Sequence, residues 1–320
     1  MVNILFLFGG ITLILFSANW LVDGASAIAK KFGISDMVVG LTIVAFGTSA
    51  PELTVNIFSA FKGATDIAIG NILGSNISNI LLILGVSAII FPISIQLNTK
   101  WKEIPFCLLA VVILGIMANG IFIDSSPDGN LITRADGLIL LCFMIIFLVY
   151  TFGIARHTGN PISLDIDPKI ISTNKASMLV LLGLIGLFFG GKYLVTGAVE
   201  FAKIMGMSEK VIGLTIIAIG TSIPELATSV VAAFKQKSDI AIGNIIGSNI
   251  FNVFFILGTT AIIQPIHINT SINFDIGIAF LASVLLFIST LTFKKKSIDR
   301  VEGLIFVTLY VCYITYSILN

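Results

Sequence analysis

Two glutamates stand alone in long apolar stretches, and they are where this sequence could do chemistry. Glu52 is the only charge between Met37 and Phe61, and Glu225 is the only one between Val211 and Phe234. Both sit in the same local sequence, Gly47-Thr48-Ser49-Ala50-Pro51-Glu52 and Gly220-Thr221-Ser222-Ile223-Pro224-Glu225. A carboxylate near the centre of a bilayer costs about 2.5–3.5 kcal/mol on insertion scales. Lipid offers nothing to offset that, so each group should face a cavity, a proton or a cation. A protonated glutamate bonded between helices is the bland alternative, but it has no need of two copies in one motif. Proline removes a backbone donor and crowds the carbonyl four residues earlier, here Gly47 and Gly220. Each helix should therefore break at mid-membrane and leave carbonyls of the Ala45–Thr48 and Ala218–Thr221 stretches unpaired. Backbone in that state survives at such depth only where it lines a cavity or meets a ligand. Carbonyls, hydroxyls and a carboxylate are hard oxygen donors, suited to sodium and calcium and poorly suited to softer metals.

A second motif follows in each half. Gly70-Asn71-Ile72-Leu73-Gly74-Ser75-Asn76-Ile77-Ser78-Asn79 matches Gly243-Asn244-Ile245-Ile246-Gly247-Ser248-Asn249-Ile250-Phe251-Asn252. Ser75 and Asn79 are four apart, as are Ser248 and Asn252, so each pair shares a helical face. Asn71 and Asn244 join those faces one turn earlier. The alternative for these polar side chains is hydrogen bonding between helices alone, and it stays open. Asn76 and Asn249 fall off the face and are expected to pack. Glycines at 70, 74, 243 and 247 permit close helix contact. Asp23 has no acidic twin, because its match is Thr196. Asp66 and Asp239 open apolar runs, where a carboxylate favours the helix N-terminus.

The elements that must hold these residues are membrane helices. Of 320 residues, 57% are hydrophobic against 11% charged, and mean hydropathy is +1.07. That composition excludes an ordinary soluble enzyme and a disordered chain, and a net charge of +1 offers nucleic acid no basic field. A helix needs about 20 apolar residues to cross a bilayer core. Ten runs meet that length: 3–28, 36–61, 67–92, 104–123, 137–155, 176–202, 210–234, 240–265, 274–293 and 301–319. The first is not a signal peptide by its pattern: it lacks a basic n-region, and its Trp20-Leu21-Val22-Asp23-Gly24-Ala25 returns as Tyr193-Leu194-Val195-Thr196-Gly197-Ala198.

That return is part of an internal repeat. At a constant offset of 173, Gly33–Gly85 aligns with Gly206–Gly258 without a gap, and 32 of 53 pairs are identical. Arg134-Ala135-Asp136-Gly137-Leu138-Ile139 likewise parallels Arg300-Val301-Glu302-Gly303-Leu304-Ile305. The predicted fold is an all-α polytopic membrane protein with ten transmembrane helices in two five-helix repeats. The first repeat is 1–155, a polar linker is 156–175, and the second repeat is 176–320. Five is odd, so the second half enters from the opposite side and the repeats are inverted, an architecture of many secondary transporters. Thirteen basic residues fall on the linker side and four on the other, with Lys192 inside a run. The positive-inside rule then places the linker in the cytoplasm and both termini outside, in the cell membrane.

Other chemistries lack their parts. Cys107, Cys142 and Cys312 are scattered in apolar runs, and His157 and His267 sit at run edges without Cys partners, so zinc and haem have no ligand set. An intramembrane hydrolase would need a base beside Ser49 or Ser222, and the runs that hold these serines contain no His and no Lys apart from Lys210 at the outer edge of one. No cofactor, no nucleic acid and no obligate protein partner is expected. The expected partners are the lipid bilayer and the transported ions, and the expected state is a monomer.

The paired GTSxPE and GNxxGSN motifs, in two inverted five-helix halves, resemble the sodium/calcium exchangers of the cation/calcium antiporter superfamily. The resemblance covers the whole chain. It implies four ion sites in a diamond near the midplane, with calcium held by Glu52, Glu225 and the carbonyls of Thr48 and Thr221. Sodium would use these together with Ser49, Ser75, Ser222, Ser248 and the carbonyls of Ala45 and Ala218. It also implies that the first and sixth helices slide past a fixed core. Many family members carry an aspartate where this chain has Asn252. Here Asn79 and Asn252 are both amides, which disfavours potassium co-transport and leaves two carboxylates to balance one calcium. The short linker leaves no room for the regulatory calcium-binding domains of larger animal exchangers. A proton/calcium antiporter is the second reading. Its related branch has Asn and Ala between the Gly and the Glu, whereas hydroxyls at Ser49 and Ser222 suit sodium.

Overall fold

The computed structural model describes residues 2–120, 123, 130–157, 172–205, 218–292 and 297–319. Residues 210–217 of the seventh expected run and 158–171 of the expected linker lie outside these. The regular elements of the described residues are helices, apart from four two-residue strands. Its helices are α1 (Val2–Phe32), α2 (Asp36–Thr48), α3 (Ala50–Phe61), α4 (Thr65–Ile90), α5 (Ile104–Met117) and α6 (Arg134–His157) in the first half. The second half has α7 (Thr173–Ile204), α8 (Ala218–Thr221), α9 (Ile223–Phe234), α10 (Ser238–Ile263), α11 (Ile272–Ser289) and α12 (Arg300–Leu319). Among the described residues, seven of these helices are long and apolar enough to cross a membrane, or eight if the bent pair α2–α3 is one span.

Burial separates a core from a periphery. In their most apolar windows α10 is 94% buried and α4 is 78% buried, against 22% for α12 and 28% for α6. The two motif-bearing helices are therefore wrapped by the others. Backbone approaches backbone where glycine allows it. A Cβ on Gly247 would lie 2.7 Å from the Leu41 carbonyl, and one on Gly243 would lie 2.9 Å from the Met37 carbonyl, so α10 seats directly on α2. Gly70 and Gly74, expected to pack in the same way, differ: a Cβ on either would have no described atom within 4 Å outside its own helix backbone and chain neighbours. Gly85 of α4 crosses Gly303 of α12, and Gly258 of α10 crosses Gly137 of α6, two contacts related by the sequence repeat.

At the periphery α1 and α7 lie along one another with small residues every seven positions. Gly10, Ser17 and Gly24 face Gly190, Gly183 with Gly186, and Ala176. A side chain at Gly183 would meet Leu21 N at 2.8 Å, so the pair is packed to contact over most of its length. Short antiparallel bridges tie distant loops: β1 (Ile93–Ser94) pairs with β4 (Ser297–Ile298), and β2 (Leu131–Ile132) pairs with β3 (Ile266–His267).

Two features of helix geometry matter for the site. The chain bends by 45° between α2 and α3. The hinge is Ser49, with φ −81° and ψ 7°, and its twin Ser222 adopts φ −87° and ψ 6° between α8 and α9. Pro51 and Pro224 follow in the first turns, where a missing N–H costs least. The second feature had no sequence signal. A π-helical segment runs from Ser78 to Leu84 within α4, and another from Phe251 to Leu257 within α10, again at the repeat offset. Single π turns recur at functional sites in helices.

Candidate functional site

The broken helices and the two core helices bring most of the expected residues into one buried cluster. Glu52, Glu225, Thr48, Ser49, Ser222, Ser75, Ser248, Asn79 and Asn252 are each 3% exposed or less. The contacts cross between halves. Ser49 Oγ donates to Glu225 Oε1 at 3.0 Å, and Ser222 Oγ reaches Glu52 Oε1 at 3.5 Å. Ser75 Oγ lies 3.5 Å from the same Glu52 oxygen and 3.1 Å from Ser222 Oγ. The Ser248 hydroxyl makes no hydrogen bond among the described residues.

Oxygens without partners are the main feature of the cluster. Glu52 Oε2, Glu225 Oε2, Asn79 Oδ1 and Asn252 Oδ1 are all buried and accept no hydrogen bond from a described residue. Neither glutamate is ion-paired to a described lysine, arginine or histidine. A buried ionised carboxylate is tolerated only with a compensating charge or a proton. The described residues hold no cluster of three or more His, Cys, Asp or Glu, so the donor set is one of hard oxygens rather than nitrogen or sulfur.

The threonines are anchored by amides of the opposite half. Thr48 Oγ1 donates to Asn244 Oδ1 at 3.0 Å, and Thr221 Oγ1 donates to Asn71 Oδ1 at 3.2 Å. Asn71 and Asn244, placed by spacing on the site face, thus brace the broken helix ends. The expectation of unpaired carbonyls needs correcting at Ala45. Its oxygen accepts Ser49 N–H at 3.0 Å and has Thr48 Oγ1 3.3 Å away, because the N–H that Pro51 lacks would have served Gly47, two residues further on, and leaves the Ser49 N–H in place. Ala218 is the first residue of α8, and its side chain lies outside those described.

Three buried polar residues were missed. Asn56 and Ser229 sit one turn after each glutamate, and Thr228 lies beside Ser229. Asn56 Nδ2 bonds the Glu52 carbonyl at 2.8 Å, and Ser229 Oγ accepts Asn244 Nδ2 at 3.0 Å. The signal was present, since 56 and 229 are equivalent positions on the glutamate face of the helix. Asp66 and Asp239 occupy first helical turns as expected, and Asp239 also accepts Gln96 Nε2 at 2.5 Å. Asp23, set aside for lack of a twin, pairs with Lys235 at 2.7 Å.

Comparison with known proteins settles the family. The model of the sodium/calcium exchanger protein family matches residues 2–153 and 175–319. The chain belongs to the sodium/calcium exchanger family. A solved structure of the sodium-calcium exchanger NCX_Mj superposes with a TM-score of 0.84 at 33% identity, over 98% of both chains. The sodium/calcium exchanger MaX1 of Methanosarcina acetivorans is 32% identical over 98% of this chain and 97% of its own. CaxA of Alkalimonas amylolytica, described only as a candidate antiporter, is 40% identical over 98% of each. This family member is accordingly an all-helical membrane protein of cation/calcium exchange transport.

Proposed function

We propose that the chain exchanges sodium for calcium across the membrane by alternating access at the cluster around Glu52 and Glu225. The observation that carries this reading is the pair of buried carboxylates without a basic partner among the described residues, each reached by a hydroxyl from the other half. Two ionised glutamates balance one calcium. The same oxygens, with Ser49, Ser75, Ser222, Ser248 and the threonine carbonyls at 48 and 221, suit several sodium ions instead. Because both ions need the glutamates, occupancy by one excludes the other, and that exclusion is what couples opposing fluxes. Asn79 and Asn252 add amide oxygens, while the Ala45 carbonyl is a weaker donor that already accepts the Ser49 N–H.

Ten spans in two inverted five-helix repeats remain our reading of the architecture, divided as 1–155, linker 156–175 and 176–320. Its support is the reciprocity of contacts at the repeat offset: Thr48–Asn244 with Thr221–Asn71, Gly85–Gly303 with Gly258–Gly137, and the matched π segments. The closely packed α1–α7 pair is the unit that would move past the core to expose the site alternately. Both termini lie outside and the linker is cytoplasmic. On that topology β1–β4 and the Asp23–Lys235 pair mark the cytoplasmic end, and β2–β3 marks the outer end. We read the chain as a monomer without a resident cofactor.

A proton/calcium antiporter is the competing reading, since a carboxylate can carry a proton as well as a metal ion. Calcium uptake into vesicles reconstituted with the protein separates the two. An imposed sodium gradient should drive uptake, and an imposed pH gradient without sodium should not. Uptake under the pH gradient alone would overturn sodium coupling.

A further inference from the structure

Asn76 and Asn249 meet on the axis between the two core helices, and the bonds they make fix more than packing. Asn76 Nδ2 lies 3.3 Å from the backbone carbonyl of Asn249, and Asn249 Nδ2 lies 3.3 Å from the backbone carbonyl of Asn76. A carbonyl only accepts, so in both residues the amide nitrogen must be the atom turned toward it. That leaves each side-chain oxygen pointing the other way. Asn249 Oδ1 accepts Asn79 Nδ2 at 2.8 Å, and Asn76 Oδ1 accepts Asn252 Nδ2 at 2.9 Å. The same logic then runs one step further. With their nitrogens committed, Asn79 and Asn252 must direct their oxygens away from the quartet, and those two oxygens are the buried ones without a described partner. All four residues are 1% exposed, so water does not compete for these bonds.

We propose that Asn76 and Asn249 are positioning residues for ion binding: through two backbone carbonyls they set the amide orientation that presents Asn79 and Asn252 oxygens to the cation. An amide can turn over and offer N–H₂ in place of oxygen, which would repel the ion. The quartet forbids that turn on both sides at once. The proposal rests on Asn79 and Asn252 belonging to the cation site.

The test exploits the symmetry of a carboxylate. In an Asn76→Ala variant Asn252 loses its acceptor and is free to turn, and the sodium concentration that half-saturates calcium exchange should rise about threefold to tenfold, the range of one ordinary hydrogen bond. An aspartate at 252 presents oxygen whichever way it turns. The double variant Asn76→Ala with Asn252→Asp should therefore fall within about twofold of Asn252→Asp alone. Asn249→Ala with Asn79→Asp asks the same question from the mirror position. An equal loss on adding Asn76→Ala in both backgrounds, or failure of both double variants to fold while both aspartate variants fold, would show a purely structural role and overturn the proposal. If Asn252→Ala leaves sodium and calcium dependence unchanged, position 252 is not in the site. Both readings then fall at that position.

Discussion

Lys235 bridges the peripheral helix α1 to the end of α9, with its ammonium 2.7 Å from Asp23 Oδ1 and 3.3 Å from the Asn19 carbonyl. The equivalent position in the first half is Lys62, but the equivalent of Asp23 is Thr196, whose hydroxyl is spent on the Lys192 carbonyl. Among the described residues the Asp23–Lys235 ion pair therefore has no counterpart at the repeat-related positions Thr196 and Lys62. If α1 moves against the core during exchange, the pair favours the state that keeps α1 against the end of α9, which on the proposed topology is the state shut toward the cytoplasm. Its strength follows from exposure. The side chains of Lys235 and Asp23 are 28% and 53% exposed, which puts the pair among surface salt bridges worth about 0.5–1 kcal/mol. A two-state equilibrium shifts by about twofold to fivefold for that energy. Asp23→Asn should thus raise the fraction open to the cytoplasm by that factor. A thiol reagent added from the cytoplasmic side, reading an engineered cysteine at Ser26, would report it as a faster labelling rate. The converse variant is Thr196→Asp, which would let Lys62 pair in the state that brings that end of α7 against α3 and should shift labelling by a similar factor in the opposite sense. High salt should shrink the Asp23→Asn effect. Labelling rates unchanged in both variants at low salt would refute the argument that this pair biases the cycle.

Protons should compete with the transported ions, because binding needs ionised glutamates. Calcium flux at limiting calcium should fall as pH drops from about 7 toward the ordinary Glu value of about 4.3, and flux constant across that range would count against carboxylate binding. Ser49→Ala against Ser222→Ala, and Ser75→Ala against Ser248→Ala, should change apparent sodium affinity by amounts that agree within about tenfold in each pair, or roughly 1.4 kcal/mol. A silent member whose twin loses a hundredfold would break the mirrored-site picture, and Ser248, with no described hydrogen bond, is the position where that would show first.

The buried polar cluster was legible because the chain states its motifs twice. A single Gly-Thr-Ser-x-Pro-Glu could be a kinked helix with a stray acid, but its return at the same offset beside Gly-Asn-x-x-Gly-Ser-Asn tied polar groups to polar groups. The hinge at Ser49 and Ser222 follows from Pro51 and Pro224 by local sterics, which a sequence displays. What was hidden depends on contacts between distant residues. The spacing argument put Asn76 and Asn249 off the site face and assigned them to packing, and nothing local reveals that each bonds the carbonyl of the other. Asp23 lacked a twin and was discounted, yet its partner Lys235 lies 212 residues away. The π segments follow no residue pattern that reasoning from propensity could use. The Ala45 carbonyl was overcounted as a free donor because proline was taken to act two residues too early, on Ala45 rather than on Gly47.

Sodium-driven calcium flux in vesicles carrying Glu52→Gln or Glu225→Gln tests the central claim most directly. Each substitution removes one of the two charges that balance calcium and also relieves the cost of a buried carboxylate, so the variants should insert and fold as the parent does. The account predicts that calcium exchange is abolished in both, with thermal stability in detergent kept or raised. Near-parental flux in either variant would contradict it.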